Sequence, residues 1–327
     1  MSMPQPQRPL PMTPKVALPP GVGRGGAPRR RLIGVSLLPA AATLGNLICG
    51  FLAVFCCLLS VRAEYADFFA IQPRVFHPRL EQLFPTHIAA GAYLIVLAMV
   101  FDALDGRLAR MTRRTSEFGA QLDSLSDIVS FGVAPAALFI TLLLRPAVSG
   151  EFNVPDASRV QFRVGMLAAL VYLSGAAIRL ARYNAENIRT EAAQKAFCGL
   201  PSPGAAAAVV ALLALHEHLR HTGFDLWGVN WPSVSRWVIA GTAFSMGLLM
   251  VSRLDYVHVF NVYARRKHPP THLVWLIVVL GLGWYSFELL LVVLAFAYVI
   301  SGLVLGLMRR SPPPTAASPA MPPQAPP

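Results

Sequence analysis

An all-α integral membrane protein, a polytopic bundle of about eight transmembrane helices, is the fold class predicted by this 327-residue sequence. Three observations predict it. Hydrophobic residues make up 55% of the chain and charged residues only 13%, where an ordinary soluble domain carries about 25% charged residues. The apolar residues gather in runs of about 18 or more with few charges, which is the length a bilayer span needs. The basic residues favour alternate connections between those runs, as cytoplasmic loops do. A water-soluble enzyme is excluded.

Residues 1–31 are rich in Pro and Gly and hold Arg8, Lys15, Arg24, Arg29, Arg30 and Arg31 without one acid. They predict a disordered basic arm, since they cannot build a core. They make a poor signal peptide, because no small-residue cleavage site follows a short apolar stretch. Residues 32–308 form the transmembrane domain, and 309–327, rich in Pro and Ala, read as a solvated tail. Within the domain eight runs are candidate spans: 38–61, 86–105, 124–144, 164–183, 203–219, 234–252, 272–286 and 288–308. The last two are read as separated by a tight turn within 281–288. One helix over 272–308 would be about 55 Å long against roughly 30 Å of hydrocarbon.

Eight spans put both termini on one face, and the charges agree. That face receives 20 of the 28 Lys and Arg, the other receives 8, and the 16 acids divide evenly. The whole net charge of +12 therefore sits on the presumed cytoplasmic side of an inner membrane. Attraction to anionic phospholipid accounts for the basicity, and nucleic acid is not needed as a partner. Cys49, Cys56, Cys57 and Cys198 fall in or beside apolar runs with no CxxC pair and no His at ligand spacing. They predict neither disulfides nor zinc and are read as packing residues.

The second run ends unusually. After 89–101 comes Asp102-Ala103-Leu104-Asp105-Gly106-Arg107-Leu108-Ala109-Arg110, and the third run is entered through Gly119-Ala120-Gln121-Leu122-Asp123-Ser124-Leu125-Ser126-Asp127. Carboxylates at the edge of hydrocarbon each cost several kcal/mol if buried alone, so four of them mark a functional site. On a helix Asp102, Asp105 and Ala109 share one stripe, with Gly106 beside it, and Gly119, Asp123 and Asp127 recur at i, i+4, i+8 on the next. Four converging carboxylates make an oxygen-rich site suited to Mg²⁺ or Mn²⁺, with room for two ions bridging a phosphate. Gly106, Ala109 and Gly119 remove bulk beside them, and Arg110 offers a forked donor for phosphate oxygens.

Taken singly, each residue has an ordinary explanation: an Asp at a span end caps a helix or meets water, and small residues serve helix packing. Taken jointly they do not. Eight specified positions in one frame have a chance probability on the order of 10⁻¹⁰ per start site at average residue usage.

The pattern D-x2-D-G-x2-A-R-x8-G-x3-D-x3-D is met without departure from Asp102 to Asp127, and it resembles the signature of the CDP-alcohol phosphatidyltransferase family. The resemblance implies a six-helix core, to which two of the eight spans are additions. It implies metal-dependent displacement of CMP from a CDP-linked lipid by an alcohol. It implies that Asp102, Asp105, Asp123 and Asp127 bind metal, that Asp127 is the general base, and that Gly106, Ala109, Arg110 and Gly119 line the CDP site. A homodimer is a further implication.

Other stretches bear on the alcohol: 43–51 (TLGNLICGF), 127–135 (DIVSFGVAP), 178–184 (IRLARYN), 199–203 (GLPSP) and 250–256 (MVSRLDY). Together, over roughly residues 30–265, they resemble the phosphatidylserine synthases that use CDP-diacylglycerol and L-serine. The loop 62–85, the proline-rich ends and Asp255 depart from that pattern, away from the carboxylates. Arg179 and Arg182 either hold the acceptor carboxylate or a lipid phosphate, or anchor the span at the interface. Asn46 contacts cytidine or ribose, as the resemblance implies, or bonds another helix. Pro201 and Pro203 break the backbone before the fifth span. Ser202 touches ligand or caps that helix, and the cap is the preferred reading. Three rivals remain at this stage: a phosphorylated acceptor such as glycerol 3-phosphate or inositol phosphate, a divalent-cation transporter using the same carboxylates, and a non-enzymatic scaffold, for which Asp127→Asn would leave function intact.

Overall fold

The computed structural model describes residues 33–64, 86–112, 117–145, 156–187, 199–223, 231–252 and 286–308, together with Phe84, Gly281 and Gly283. The described elements are helical: α1 (Ile33–Glu64), α2 (His87–Thr112), α3 (Glu117–Asp127), a π-helical segment (Ile128–Val133), α4 (Ala134–Leu144), α5 (Asp156–Asn187), α6 (Ser202–Thr222), α7 (Trp231–Val251) and α8 (Phe287–Met308). Among them seven stretches are long and apolar enough to cross a membrane, with α3, the π segment and α4 joined into one span, Phe118–Leu144. These seven match seven of the eight runs read from the sequence. The eighth, 272–286, lies outside the described residues apart from Gly281, Gly283 and Ser286, as do the basic arm and the tail.

The spans run longer than the apolar runs because polar residues are carried inside the helices. α2 continues through Asp102 and Asp105 to Thr112, and α3 is already helical from Glu117. Both carboxylate pairs therefore ride on rigid helix, which fixes them better than a loop would.

α6 is the central element. Its alanines let neighbours approach, and its apolar window is 61% buried against 17% for α8. It packs on α2, α7 and α8, while α1 packs chiefly on α2 and α5 on α7. The α5–α7 contact is backbone against backbone. A Cβ on Gly175 would lie 2.4 Å from the Gly247 carbonyl oxygen, and a Cβ on Gly247 would lie 2.7 Å from that of Val171.

The π segment has a local cause. Pro135 lacks an N–H, so the Phe131 carbonyl loses its i+4 donor. The ladder widens, with the Ala134 N–H reaching back to Val129, and the Phe131 oxygen is satisfied by the Tyr172 hydroxyl of α5 at 2.6 Å. Opposite it, Gly50 leaves room on α1 for Ser130, whose hydroxyl donates to the Asn46 carbonyl at 2.9 Å. Ser126 donates likewise to the Thr43 carbonyl at 3.1 Å. These bonds set the register of α1 against the carboxylate-bearing span.

The end of the bundle away from the carboxylates holds its own buried polar groups. Arg145 at the end of α4 pairs with Glu217 of α6 at 2.9 Å and also donates to Ser60 of α1 at 2.9 Å. The side chains of Arg145 and Glu217 are 11% and 0% exposed. Arg145 entered the charge count as a loop residue, just past the run 124–144, and Glu217 lay near the end of the run 203–219; the structure places both inside the bundle, where an unpaired charge would be costly. On the neighbouring face Tyr93 of α2 donates to Glu288 of α8, and Ser286 donates to the same carboxylate. Cys49, Cys56 and Cys57 are buried and free, the packing role expected of them, and Cys198 lies outside the described residues.

Candidate active site

Asp102 comes from α2, and Asp123 and Asp127 from consecutive turns of α3. One carboxylate oxygen of each lies within 4.8 Å of the others, a group able to hold a metal ion. Asp105 stands one turn beyond Asp102 and is 6% exposed. Its Oδ2 accepts from the Thr43 hydroxyl at 3.0 Å, so it flanks the tight group of three. Four acids thus converge as the stripes predict, but three close on one point and the fourth is held aside by α1.

Asn46 is fully buried, and its Nδ2 donates to Asp127 Oδ1 at 3.2 Å. This is a hydrogen bond between α1 and α3. The Asn46 Oδ1 has no hydrogen-bond partner among the described residues, and neither does Asp123 Oδ1. Orphaned buried oxygens are rare and expensive, and here they face a cluster of like charges. A divalent cation satisfies both demands at once. Hard oxygen donors in this number suit Mg²⁺ or Mn²⁺ better than zinc or copper.

Arg179 of α5 supplies the one protein cation whose electrostatic reach to both Asp102 and Asp127 is seen among the described residues. It does not snorkel outward. Its guanidinium donates to the hydroxyl of Ser202 at 2.7 Å. That bond corrects the reading of Ser202 as a helix cap: Ser202 is the first residue of α6, wholly buried, and the N-cap position is Pro201, with no side-chain cap. The serine serves the arginine, whose long side chain reaches from α5 to the start of α6. Arg182 reaches the Val251 carbonyl at 3.5 Å, an anchoring contact at the end of α7. Ser202→Ala is expected to lower stability by about 1–2 kcal/mol, since it removes one partner of a buried guanidinium. Thermal unfolding in detergent measures it.

Gly106 and Gly119 are partly exposed beside the acids. The helix α2 includes Ala109 and Arg110, whose side chains lie outside the described residues. Residues 199–200 meet the end of α7, far away in sequence, at Leu249, Met250 and Ser252. Gly199 adopts φ +88°, its α-hydrogen side against the Met250 carbonyl, where a Cβ would come within 2.5 Å. The Leu200 N–H donates to the Leu249 carbonyl at 3.2 Å. Thr43, Ser126, Ser130 and Tyr298 were not singled out from the sequence. Thr43 had a signal, lying one turn before Asn46 on the same face. Tyr298 is the lone tyrosine of a long apolar run, and it lies within electrostatic range of Arg179.

This acid cluster on two adjoining helices, inside a membrane bundle, is what a match to known families explains. The model of the family described as CDP-alcohol phosphatidyltransferase matches residues 36–245. The chain belongs to the CDP-alcohol phosphatidyltransferase family. That region holds α2 to α6 entire and most of α1 and α7. As a CDP-alcohol phosphatidyltransferase the chain is a membrane transferase of phospholipid biosynthesis, moving a phosphatidyl group from a CDP-linked lipid to an alcohol. That replaces the cation-transport reading. Among curated proteins it is 30% identical over 264 residues to a CDP-diacylglycerol--serine O-phosphatidyltransferase of Mycobacterium tuberculosis, covering 79% of this chain and 72% of that one. It is 37% identical over 166 residues to the enzyme of that name from Helicobacter pylori, covering 51% and 60%. With the one from Methanocaldococcus jannaschii it shares 33% over 163 residues, covering 50% and 61%.

Proposed function

We propose that this phosphatidyltransferase uses CDP-diacylglycerol and L-serine, giving phosphatidylserine and CMP, at a site facing the cytoplasm of an inner membrane. The single observation that carries the proposal is the convergence of Asp102, Asp123 and Asp127, set against Arg179. The names of the relatives and the five shared sequence stretches support serine as acceptor.

Asp102, Asp105, Asp123 and Asp127 would hold two divalent ions, Mg²⁺ or Mn²⁺, which when bound supply charge neutralisation for a diphosphate and its departing oxygen. Asn46 fixes Asp127 by donating to Oδ1, which leaves the other oxygen for a proton. As the serine hydroxyl oxygen bonds to the phosphorus carrying diacylglycerol, its proton passes to Asp127, and the phosphoanhydride bond breaks to release CMP. The proton must move as the new bond forms, because a carboxylate is far too weak a base to generate free alkoxide. Gly106, Ala109, Arg110 and Gly119 are assigned to the CDP moiety. Arg179, held by Ser202, is assigned to the serine carboxylate or the lipid phosphate, matching a planar fork to an oxyanion.

The test is an acceptor series. Protein in mixed micelles receives CDP-diacylglycerol with serine, glycerol 3-phosphate or inositol phosphate, and CMP and lipid product are both measured. Serine alone is expected to give product. Chelation with EDTA is expected to stop turnover, and Mg²⁺ or Mn²⁺ to restore it. Product with glycerol 3-phosphate and none with serine overturns the assignment.

A further inference from the structure

α8 lies beyond residues 36–245, the part of the chain that the family model matches, yet it lends a side chain to the surroundings of Arg179. Tyr298 lays its ring over Gly204 in the first turn of α6, where a Cβ would come 2.5 Å from Tyr298 Cε1 and 3.1 Å from Cδ1. Two residues earlier on that turn is Ser202, whose hydroxyl accepts from Arg179 at 2.7 Å. Ring and guanidinium are thus seated on the same helix end. They lie within electrostatic range of each other, and Arg179 is in range of Asp127 and Asp102 as well. Tyr183 is also in that range, but it is exposed and belongs to α5 itself.

The Tyr298 hydroxyl is half-buried, and among the described residues it makes no hydrogen bond. The ring lines an apolar cleft whose other walls are Val, Met, Ala and Leu side chains, so no strong acceptor lies on that side. Arg179 cannot serve either, because a guanidinium has five donors and no acceptor. The hydroxyl hydrogen therefore lacks a place to go, which costs free energy in proportion to its burial. We propose that Tyr298 is the second donor to the oxyanion that Arg179 holds, a carboxylate of the acceptor or a phosphate of the lipid, so that a helix outside the family-matched region completes the site. The inference rests on the assignment of Arg179 to an oxyanion. Such a group has lone pairs enough to accept from the fork of Arg179 and from a hydroxyl at once, and hydrogen bonds to an ionised acceptor are the strong ones. Gly204 matters for the same reason: without a β-carbon it lets the ring lie close against α6, at the end where Ser202 holds the arginine.

The experiment is steady-state kinetics of Tyr298→Phe in mixed micelles, with KM measured separately for serine and for CDP-diacylglycerol. Phenylalanine keeps the ring on Gly204 and removes only the oxygen, so the thermal transition is expected to hold. One KM is expected to rise about tenfold with kcat unchanged, the loss of one hydrogen bond to a charged group. A rise for serine identifies the oxyanion as the acceptor carboxylate, and a rise for CDP-diacylglycerol identifies it as the lipid phosphate. Gly204→Ala, which pushes the ring off α6, is expected to raise the same KM and to add nothing further in the Tyr298→Phe background, since both act through one hydroxyl. It is also the second variant should Tyr298→Phe fail to fold. Both KM values within about twofold of the unaltered protein in a folded variant overturn the inference, as does a fall in kcat alone. Turnover of the unaltered protein with another alcohol and none with serine overturns the proposed acceptor instead, and the two KM values are then read for that alcohol and CDP-diacylglycerol.

Discussion

Asp127→Asn is expected to lower kcat for CMP release by about 10³-fold, within the range that a positioned base contributes. The amide is nearly the same shape as the carboxylate, and its oxygen can still accept from Asn46 Nδ2, which lies 3.2 Å from Asp127 Oδ1. Shape and packing are therefore kept. What goes is the basic oxygen and one negative charge from a group whose oxygens lie within 4.8 Å of one another. Relieving that repulsion should leave the thermal transition unchanged or raised. The pairing of a lost rate with an undiminished transition is the signature, since a merely structural residue would lose both. Turnover within threefold of the unaltered protein would remove Asp127 from the chemistry.

The second large effect is on stability. Gly247→Val is expected to destabilise the bundle by about 3 kcal/mol, the upper end of overpacking costs. The atoms that a side chain there would meet are the Val171 carbonyl oxygen at 2.7 Å and the Tyr172 backbone at 2.9 Å. Backbone cannot swing aside as the tip of a flexible side chain can, so α5 and α7 must separate. Gly241 is the internal control: it lies on the same helix with nothing within 4 Å of where a β-carbon would sit, and Gly241→Ala should cost far less or be neutral. Thermal scanning of both variants in one detergent decides. Equal transitions in the two would show that the close approach does not matter.

Much of the site was legible in the sequence because it obeys helical periodicity. Asp102 and Asp105 on one helix and Asp123 and Asp127 on the next have spacings that place each pair on a common face, and three of the four close on one point. Periodicity names a face, however, and never the partner across from it. That is why Asp105 could not be seen to turn toward Thr43, 62 residues earlier, or Ser202 to be claimed by Arg179. The same gap hid Arg145 and Glu217. Arg145 just past one apolar run and Glu217 near the end of another give no sign of each other, and only the meeting of α4 with α6, 72 residues apart in the chain, shows them to be a buried pair. The π segment was invisible for a related reason. Pro135 announced a break in the ladder, but whether the chain kinks or widens depends on Tyr172 being there to take the stranded carbonyl.

That widened turn divides the third span into two halves that are clocked separately. The stretch before it aims Asp123 and Asp127 at the acid cluster, and the stretch after it aims Leu138, Phe139 and Leu142 into the core, all three fully buried. A uniform helix of 3.6 residues per turn would tie those two headings together, and one residue more or less would swing one half by about 100° relative to the other. By absorbing a residue at 128–133, the span lets the reactive end keep its bearing while the other end seats itself for packing alone.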